Sequence, residues 1–121
     1  MYRLYCIFSL EAVKNMKGSR GKLAAQAGHA YLHSFMNARE RFPKAAGSYL
    51  DDQRAFKIAL AVPTAIELRK LQANYADICG HALITDAALT VFDEPTTTCL
   101  GLGPIHIDQI GSDLRALPVL T

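Results

Sequence analysis

The sequence predicts a single α/β domain over residues 1–121, with a small four-stranded mixed sheet and helices packed on both faces. Two observations predict this fold class. Short apolar runs with strand character alternate along the chain with longer stretches of helical periodicity. In addition, 50% of the residues are hydrophobic and 20% are charged, which is enough for a core and excludes a disordered chain.

The first part of the chain predicts one strand and one long helix. Residues 2–9 are rich in aromatic and branched side chains, which favours a strand buried on both faces. Residues 10–20 predict a flexible basic loop, and Ser19 is expected to cap a helix over residues 21–41 that Pro43 ends. That helix has an apolar side, and opposite to it runs a narrow polar stripe formed by Lys22, Gln26, His29 and His33.

The second part predicts three strands and two helices, after an ambiguous segment at residues 45–54 where a short helix is an open alternative. Strands are predicted over residues 55–62, 82–85 and 98–102, with a loop or hairpin connection over residues 86–97. A helix over residues 63–78 is expected to bury Ile66 and to end at Gly80 as its C-cap. A last helix is expected over residues 107–117. Crossover helices favour parallel strand pairs, and the short last connection permits an antiparallel one.

The charge is distributed unevenly along the chain. Residues 1–44 carry eight basic and two acidic side chains, whereas residues 45–121 carry five basic and nine acidic ones. Within the first group, four cations fall in nine residues: Lys14, Lys17, Arg20 and Lys22. This arrangement indicates either a polyanionic partner or two solvated faces that neutralise each other, and both interpretations stay open.

Several kinds of site and location are not indicated. Residues 18–22 (GSRGK) lack the spacing of a phosphate-binding P-loop. His29 and His33 have no evident third ligand, so no metal site is predicted. The three cysteines are widely spaced without a CxxC pair, and no stretch is long enough for a membrane span or has the features of a signal peptide. A reduced, cytoplasmic protein is expected.

Three segments together resemble the type 2 peptidyl-tRNA hydrolase family, of which the chain would be a divergent member. Residues 21–26 (GKLAAQ), followed by His29, resemble its GK[VI]AAQxxHA segment. Asp86 and Thr90 match its QDAGxT segment, which departs here at Thr85 and Ala88. Residues 98–104 (TCLGLGP) resemble its TVLGIGP segment. The three segments occur in the family's order and span nearly the whole chain.

The resemblance implies hydrolysis, without metal or cofactor, of the ester bond that joins a peptide to the 3′ ribose of tRNA, a reaction of translation. The catalytic residues it implies are Lys22, Asp86, Thr90 and Thr98. The expected partner is tRNA, in the form of peptidyl-tRNA. This substrate is expected to contact Lys14, Lys17, Arg20, Gln26 and His29. A homodimer is left open. Two alternatives also stay open: a non-catalytic module that binds RNA or protein on the same fold, and a hydrolase of small esters.

Overall fold

The computed structural model describes residues 1–87 and 94–121. Its elements follow the order β1 (Tyr2–Ser9), α1 (Leu10–Asn15), α2 (Arg20–Arg41), α3 (Pro43–Asp51), β2 (Lys57–Val62), α4 (Ala65–Tyr75), β3 (His81–Asp86), β4 (Thr96–His106) and α5 (Ser112–Arg115), with a short 3₁₀ turn at Ile107–Gln109 before α5. None of the helices in these two ranges is both long and apolar enough to cross a bilayer.

The four strands form one mixed sheet in the order β2-β1-β4-β3. Strands β1 and β2 are parallel, with Ser9 opposite Val62, while β4 runs antiparallel to both β1 and β3. The carboxyl ends of β1, β2 and β3 therefore lie at the same edge of the sheet as the amino end of β4. The predicted four-stranded mixed sheet is confirmed, and this edge is where the candidate site is found.

The side chains of β1 alternate between two cores, one on each face of the sheet. Tyr5 and Ile7 belong to the core that α4 covers. Cys6 and Phe8 belong to the core that includes Ala30 of α2. Helices thus pack on both faces, as the sequence predicts. Burial of these apolar residues supplies the main driving force that holds the two helical layers on the sheet.

The predicted loop over residues 10–20 is wrong in its first half, where the chain forms helix α1. The Ser9 hydroxyl accepts a hydrogen bond from the Ala12 amide at 3.3 Å, which caps the helix. Glu11 in the first turn and Lys14 in the last turn both interact favourably with the helix dipole. The helix is anchored because Ala12 is buried on one of its faces. The ambiguous segment after α2 is also helical and forms α3.

The end of the chain also differs from the prediction. Strand β4 continues through Gly103 and Pro104 to His106, because Gly103 has a φ of +112°, which glycine adopts without strain. The pairing with β1 shifts its register at this point and then resumes. The predicted helix over residues 107–117 is reduced to the 3₁₀ turn and α5. Tyr75 holds the break between them, since its hydroxyl oxygen accepts a hydrogen bond from the Gly111 amide at 2.9 Å.

Two predictions about α4 are wrong. The helix ends at Tyr75 with Ala76 as C-cap, so Gly80 does not cap it. Gly80 is needed instead for close packing, because a Cβ there would lie 2.6 Å from the Cβ of Ala38 on α2. Ile66 is 62% exposed and lies outside the core. At the other end of α4, the Thr64 hydroxyl and Glu67 form a capping box.

Candidate active site

The amino end of α2 carries two of the residues that build the site. The Ser19 hydroxyl accepts a hydrogen bond from the Lys22 amide at 3.2 Å, which confirms the predicted cap and fixes where the helix begins. Gln26 follows one turn after Lys22 and is only 3% exposed. The prediction that Gln26 belongs to a polar stripe opposite the apolar side is therefore wrong. Its side chain enters the protein on the face of α2 that packs on the sheet.

Small residues allow α2 to lie close to the sheet at this point. Gln26 shares a helical row with Ala30, Ser34 and Ala38, all of which are buried. Opposite this row is Gly101 of β4, where any Cβ would collide with the backbone of Ala30. Because the helix and the strand approach so closely, a long amide side chain one turn earlier reaches the edge of the sheet.

Asp86 and Thr98 reach the same place from β3 and β4. Asp86 is the last residue of β3 and is buried. In the ladder between the two strands, Ile84 lies opposite Cys99, whereas Thr85 lies opposite Thr97. Thr98 is thus an extra residue in β4, and such a bulge changes the direction in which a side chain points. The side chain of Thr98 is fully buried and points toward α2.

The four side chains form a continuous chain of polar contacts. The Lys22 ammonium forms an ion pair with Oδ2 of Asp86. Nε2 of Gln26 donates a hydrogen bond to the same oxygen at 3.2 Å. The Thr98 hydroxyl donates to Oε1 of Gln26 at 2.5 Å. Since an ionised carboxylate only accepts hydrogen bonds, the amide of Gln26 must turn its nitrogen toward Asp86 and its oxygen toward Thr98.

This polar chain lies at one end of a cleft of about 650 Å³. One wall is the exposed side of α2, and the other is strand β3 from Ala82 onward. His29 and His33 line the first wall, and both are exposed, with ring centroids 6.1 Å apart. In the part of the chain that the structure describes, no three His, Cys, Asp or Glu residues come together as a metal-binding group.

The other predicted site residues lie in different places. Arg20 is the first residue of α2, Lys14 is in α1 and Lys17 is in the turn between these helices; all three are exposed, and none of them lines the cleft. Thr85 does line it. Thr90 and Ala88 lie outside the described residues.

Two buried thiols lie behind the polar chain. Cys99 follows Thr98, and its sulfur donates to the backbone carbonyl oxygen of Gln26 at 3.5 Å. A hydrogen bond to Cys99 and burial together raise the pKa of the Cys6 thiol well above its usual range. A protonated, fully buried Cys6 is unsuited to act as a nucleophile. Cys99 is also fully buried, and neither thiol lines the cleft, whereas Lys22, Gln26 and Asp86 do.

Sequence reasoning overlooked two parts of this site. It did not foresee that the Gln26 amide links Thr98 to Asp86, although the row of small residues that follows Gln26 on α2 was a signal for its burial. It placed His33 in the polar stripe with Lys22 and His29 but gave it no role in substrate binding, whereas the side chain lines the cleft one turn beyond His29. The shared stripe was the signal that His33 lies on the same side of α2 as His29.

Comparison with known proteins agrees with this architecture. The family described as Peptidyl-tRNA hydrolase PTH2 matches residues 9–120. A protein of Methanopyrus kandleri named peptidyl-tRNA hydrolase is 36% identical over 108 residues, which cover 88% of this chain and 90% of that protein. A protein of the same name from Methanococcus maripaludis is 31% identical, over 88% of this chain and 91% of its own length. Another, from Thermoplasma volcanium, is 29% identical, over 86% of this chain and 92% of its own length. The chain belongs to the type 2 peptidyl-tRNA hydrolase family, as its three sequence segments predict.

Proposed function

We propose that this protein hydrolyses the ester bond of peptidyl-tRNA and that Lys22 and Asp86 carry the chemistry. The observation that carries the proposal is their ion pair at the end of an open cleft, in a chain of the peptidyl-tRNA hydrolase family. The reaction adds water to the ester carbonyl and breaks the bond to the ribose oxygen. Its products are a peptide with a free carboxylate and a tRNA with a free hydroxyl.

Asp86 orients the attacking water, accepts its proton as the water oxygen bonds to the carbonyl carbon, and returns that proton to the ribose oxygen as the ester bond breaks. The carboxylate offers about four acceptor sites on its two oxygens, so Oδ2 can hold Lys22 and Gln26 while a water binds elsewhere on the group. A carboxylate is a weak base, and its main contribution is position rather than proton affinity. The site therefore depends on how firmly Asp86 is held.

Lys22 stabilises the negative charge that develops on the carbonyl oxygen. Its side chain is 13% exposed, so solvent screens its charge less than it screens a surface lysine. A fixed positive charge at a partly dehydrated site favours the transition state over the uncharged ester. No metal ion is required for either role.

Gln26 and Thr98 are assigned as positioning residues. Thr98 is fully buried and donates to Gln26, which in turn donates to Asp86, so the threonine acts through the amide. His29 lines the cleft and is assigned to substrate orientation. Thr90 is kept as a catalytic candidate on the strength of the family resemblance alone.

The exposed cations Lys14, Lys17 and Arg20 are assigned to the tRNA backbone. They lie on α1, on the following turn and at the start of α2, at the same end of α2 as Lys22. Contacts of this kind recognise phosphate charge and carry no sequence information. The proposal also includes a cytoplasmic location, where the three buried thiols stay reduced. Light scattering of the purified protein measures its mass in solution and decides whether it forms a homodimer.

The test is release of an N-acetylated amino acid from its tRNA under single-turnover conditions. Asp86→Asn and Lys22→Ala should each lower the rate constant by about 100-fold or more, because each removes a group that acts on the transition state. Lys70→Ala is the matched control, since Lys70 is exposed on α4, on the opposite face of the sheet. Thermal melting checks that the variants are folded.

Each alternative function gives a different result in the same assay. A binding module would hold the charged tRNA without releasing the amino acid. A small-ester hydrolase would cleave p-nitrophenyl acetate faster than the tRNA ester, and the reaction would not depend on tRNA. Either outcome would refute the proposed function.

A further inference from the structure

One wall of the cleft is the outer edge of the sheet. Strand β3 is the last strand in the order β2-β1-β4-β3, and within the described residues no strand pairs with it on its outer side. An edge strand presents backbone N–H and C=O groups that can pair with another extended chain. The cleft therefore offers main-chain hydrogen-bonding groups along β3, opposite the side chains of α2.

The hydrogen bonds at the start of β3 show which residues face the cleft. The His81 amide donates to Oδ1 of Asn37 on α2 at 3.2 Å, so it points away from β4. The preceding residue, Gly80, faces β4, because its carbonyl accepts from the Gly103 amide at 2.8 Å. Orientation alternates along an antiparallel ladder, and Leu83 stands two residues after His81. The N–H and C=O of Leu83 therefore point outward to the cleft.

The two walls have matching lengths. From Lys22 to His33, α2 rises about 16 Å at 1.5 Å per residue. From Ala82 to Ala87, the residue after the end of β3, the chain extends about 16 Å at 3.3 Å per residue. A groove of this length, starting at the ion pair, accommodates about four or five residues of an extended peptide.

Charge determines which part of the substrate lies in the groove. The exposed cations Lys14, Lys17 and Arg20 lie at the end of α2 that carries Lys22, where a polyanion is favoured. In the other direction the walls are mostly apolar, with Ala25 on the helix and Ala82 and Ile84 on the strand. With the ester at Lys22 and Asp86, the RNA points toward the cations and the peptide points into the groove.

We propose that the peptide part of the substrate binds as an added strand along the outer edge of β3. It begins at the ester beside Asp86 and runs toward His33, with main-chain hydrogen bonds to Leu83. This inference rests on the proposed function, because it assumes a peptidyl ester at that site. Pairing through the main chain is indifferent to side chains, which suits an enzyme whose substrates carry peptides of many sequences.

The first test varies the substrate and uses the unaltered protein. A series of charged tRNAs carries one to six residues, each with an acetylated amino terminus. The KM should fall as the peptide lengthens and level off at about four or five residues. A second series carries one N-methylated peptide bond at successive positions of a pentapeptide. Because alternate residues of an added strand face β3, N-methylation should raise KM about three- to tenfold at every second residue and little in between.

The second test changes the strand. Leu83→Pro removes the outward N–H, a position where an edge strand tolerates proline, and Leu83→Ala is the control that loses side-chain packing but keeps the N–H. We compare the KM for pentapeptidyl-tRNA with the KM for N-acetylaminoacyl-tRNA in each variant. That ratio should be about three- to tenfold higher in Leu83→Pro than in Leu83→Ala. If the proline variant does not fold, the N-methylation series decides the question.

Failure of this inference is distinguishable from failure of the proposed function. Rapid hydrolysis with a KM independent of peptide length, or N-methylation effects without alternation, would overturn the added strand and leave the hydrolase intact. If KM changes when the terminal adenine base of the tRNA is removed but not when the peptide is changed, the nucleotide occupies the groove. That result would also overturn the added strand. Absence of hydrolysis with every substrate would refute the proposed function itself.

Discussion

Replacing Thr98 by valine tests whether the buried polar chain positions Asp86. Valine has nearly the shape of threonine and is well suited to a strand, so the substitution removes the hydroxyl with little change in packing. In the native protein that hydroxyl donates to Oε1 of Gln26 at 2.5 Å, and both groups are buried. The variant leaves the Gln26 oxygen without this donor.

The size of the effect on stability follows from the burial of these groups. A buried acceptor that loses its donor costs about 1–3 kcal/mol. The entropy of unfolding of a chain of 121 residues is about 0.25 kcal/mol/K, so the melting temperature should fall by about 4–12 °C. If the Gln26 amide rotates instead, its oxygen faces the Asp86 carboxylate and the hydrogen bond at 3.2 Å is lost.

In either case Asp86 is held less firmly, and the rate constant should fall by about 10- to 100-fold with little change in KM. Single-turnover release of an N-acetylated amino acid from tRNA measures the rate, and thermal melting measures the stability. Thr98→Ser is the matched control, since it keeps the donor and loses only a methyl group. A Thr98→Val protein that reacts at the wild-type rate, or a Thr98→Ser protein that is equally slow, would refute the positioning role.

Three further predictions concern other parts of the molecule. Replacing both Lys14 and Lys17 by alanine should weaken tRNA binding and flatten the slope of log affinity against log salt by about one to two, with turnover at saturating substrate nearly intact; a salt series of binding measurements checks this, and an unchanged slope would contradict it. Hydrolysis should persist in EDTA if Lys22 and Asp86 supply the chemistry as proposed; loss of activity that zinc restores would instead indicate a metal site. Burial and the nearby charge of Arg41 lower the pKa of His81 from 6.5, so the unfolded chain takes up this proton more readily than the native protein. The native state should therefore lose stability as the pH falls from 7.5 to 5.5, and His81→Gln should lose less; melting curves that shift equally with pH in both proteins would exclude this contribution.

Local patterns predicted most of the fold because they depend on a few neighbouring residues. The apolar composition of β1 and the cap at Ser19 are properties of short segments, and both the buried strand and the cap are confirmed. Two of the errors arose where a distant contact decides the structure. Gly80 was expected to cap α4, but its place is set by the close approach of Ala38 on α2. The final helix was expected to run through Gly111, whose amide is bound by Tyr75 from another element.

The same distinction explains what could be foreseen of the candidate site. Family resemblance pointed to Lys22, Asp86 and Thr98, and the structure brings these residues together, but the sequence alone could not say how they are connected. Gln26 lies on the boundary between the polar stripe and the buried face of α2, where helical periodicity assigns it to either side. Its burial is favourable only because Thr98 and Asp86 satisfy both ends of its amide. Those partners are 72 and 60 residues away along the chain, and the bulge that directs Thr98 toward α2 comes from the pairing of β3 with β4. The orientation of the Asp86 carboxylate is thus a property of the packed sheet and helix, which is why variants at Thr98 test the proposed site more specifically than replacement of the carboxylate itself.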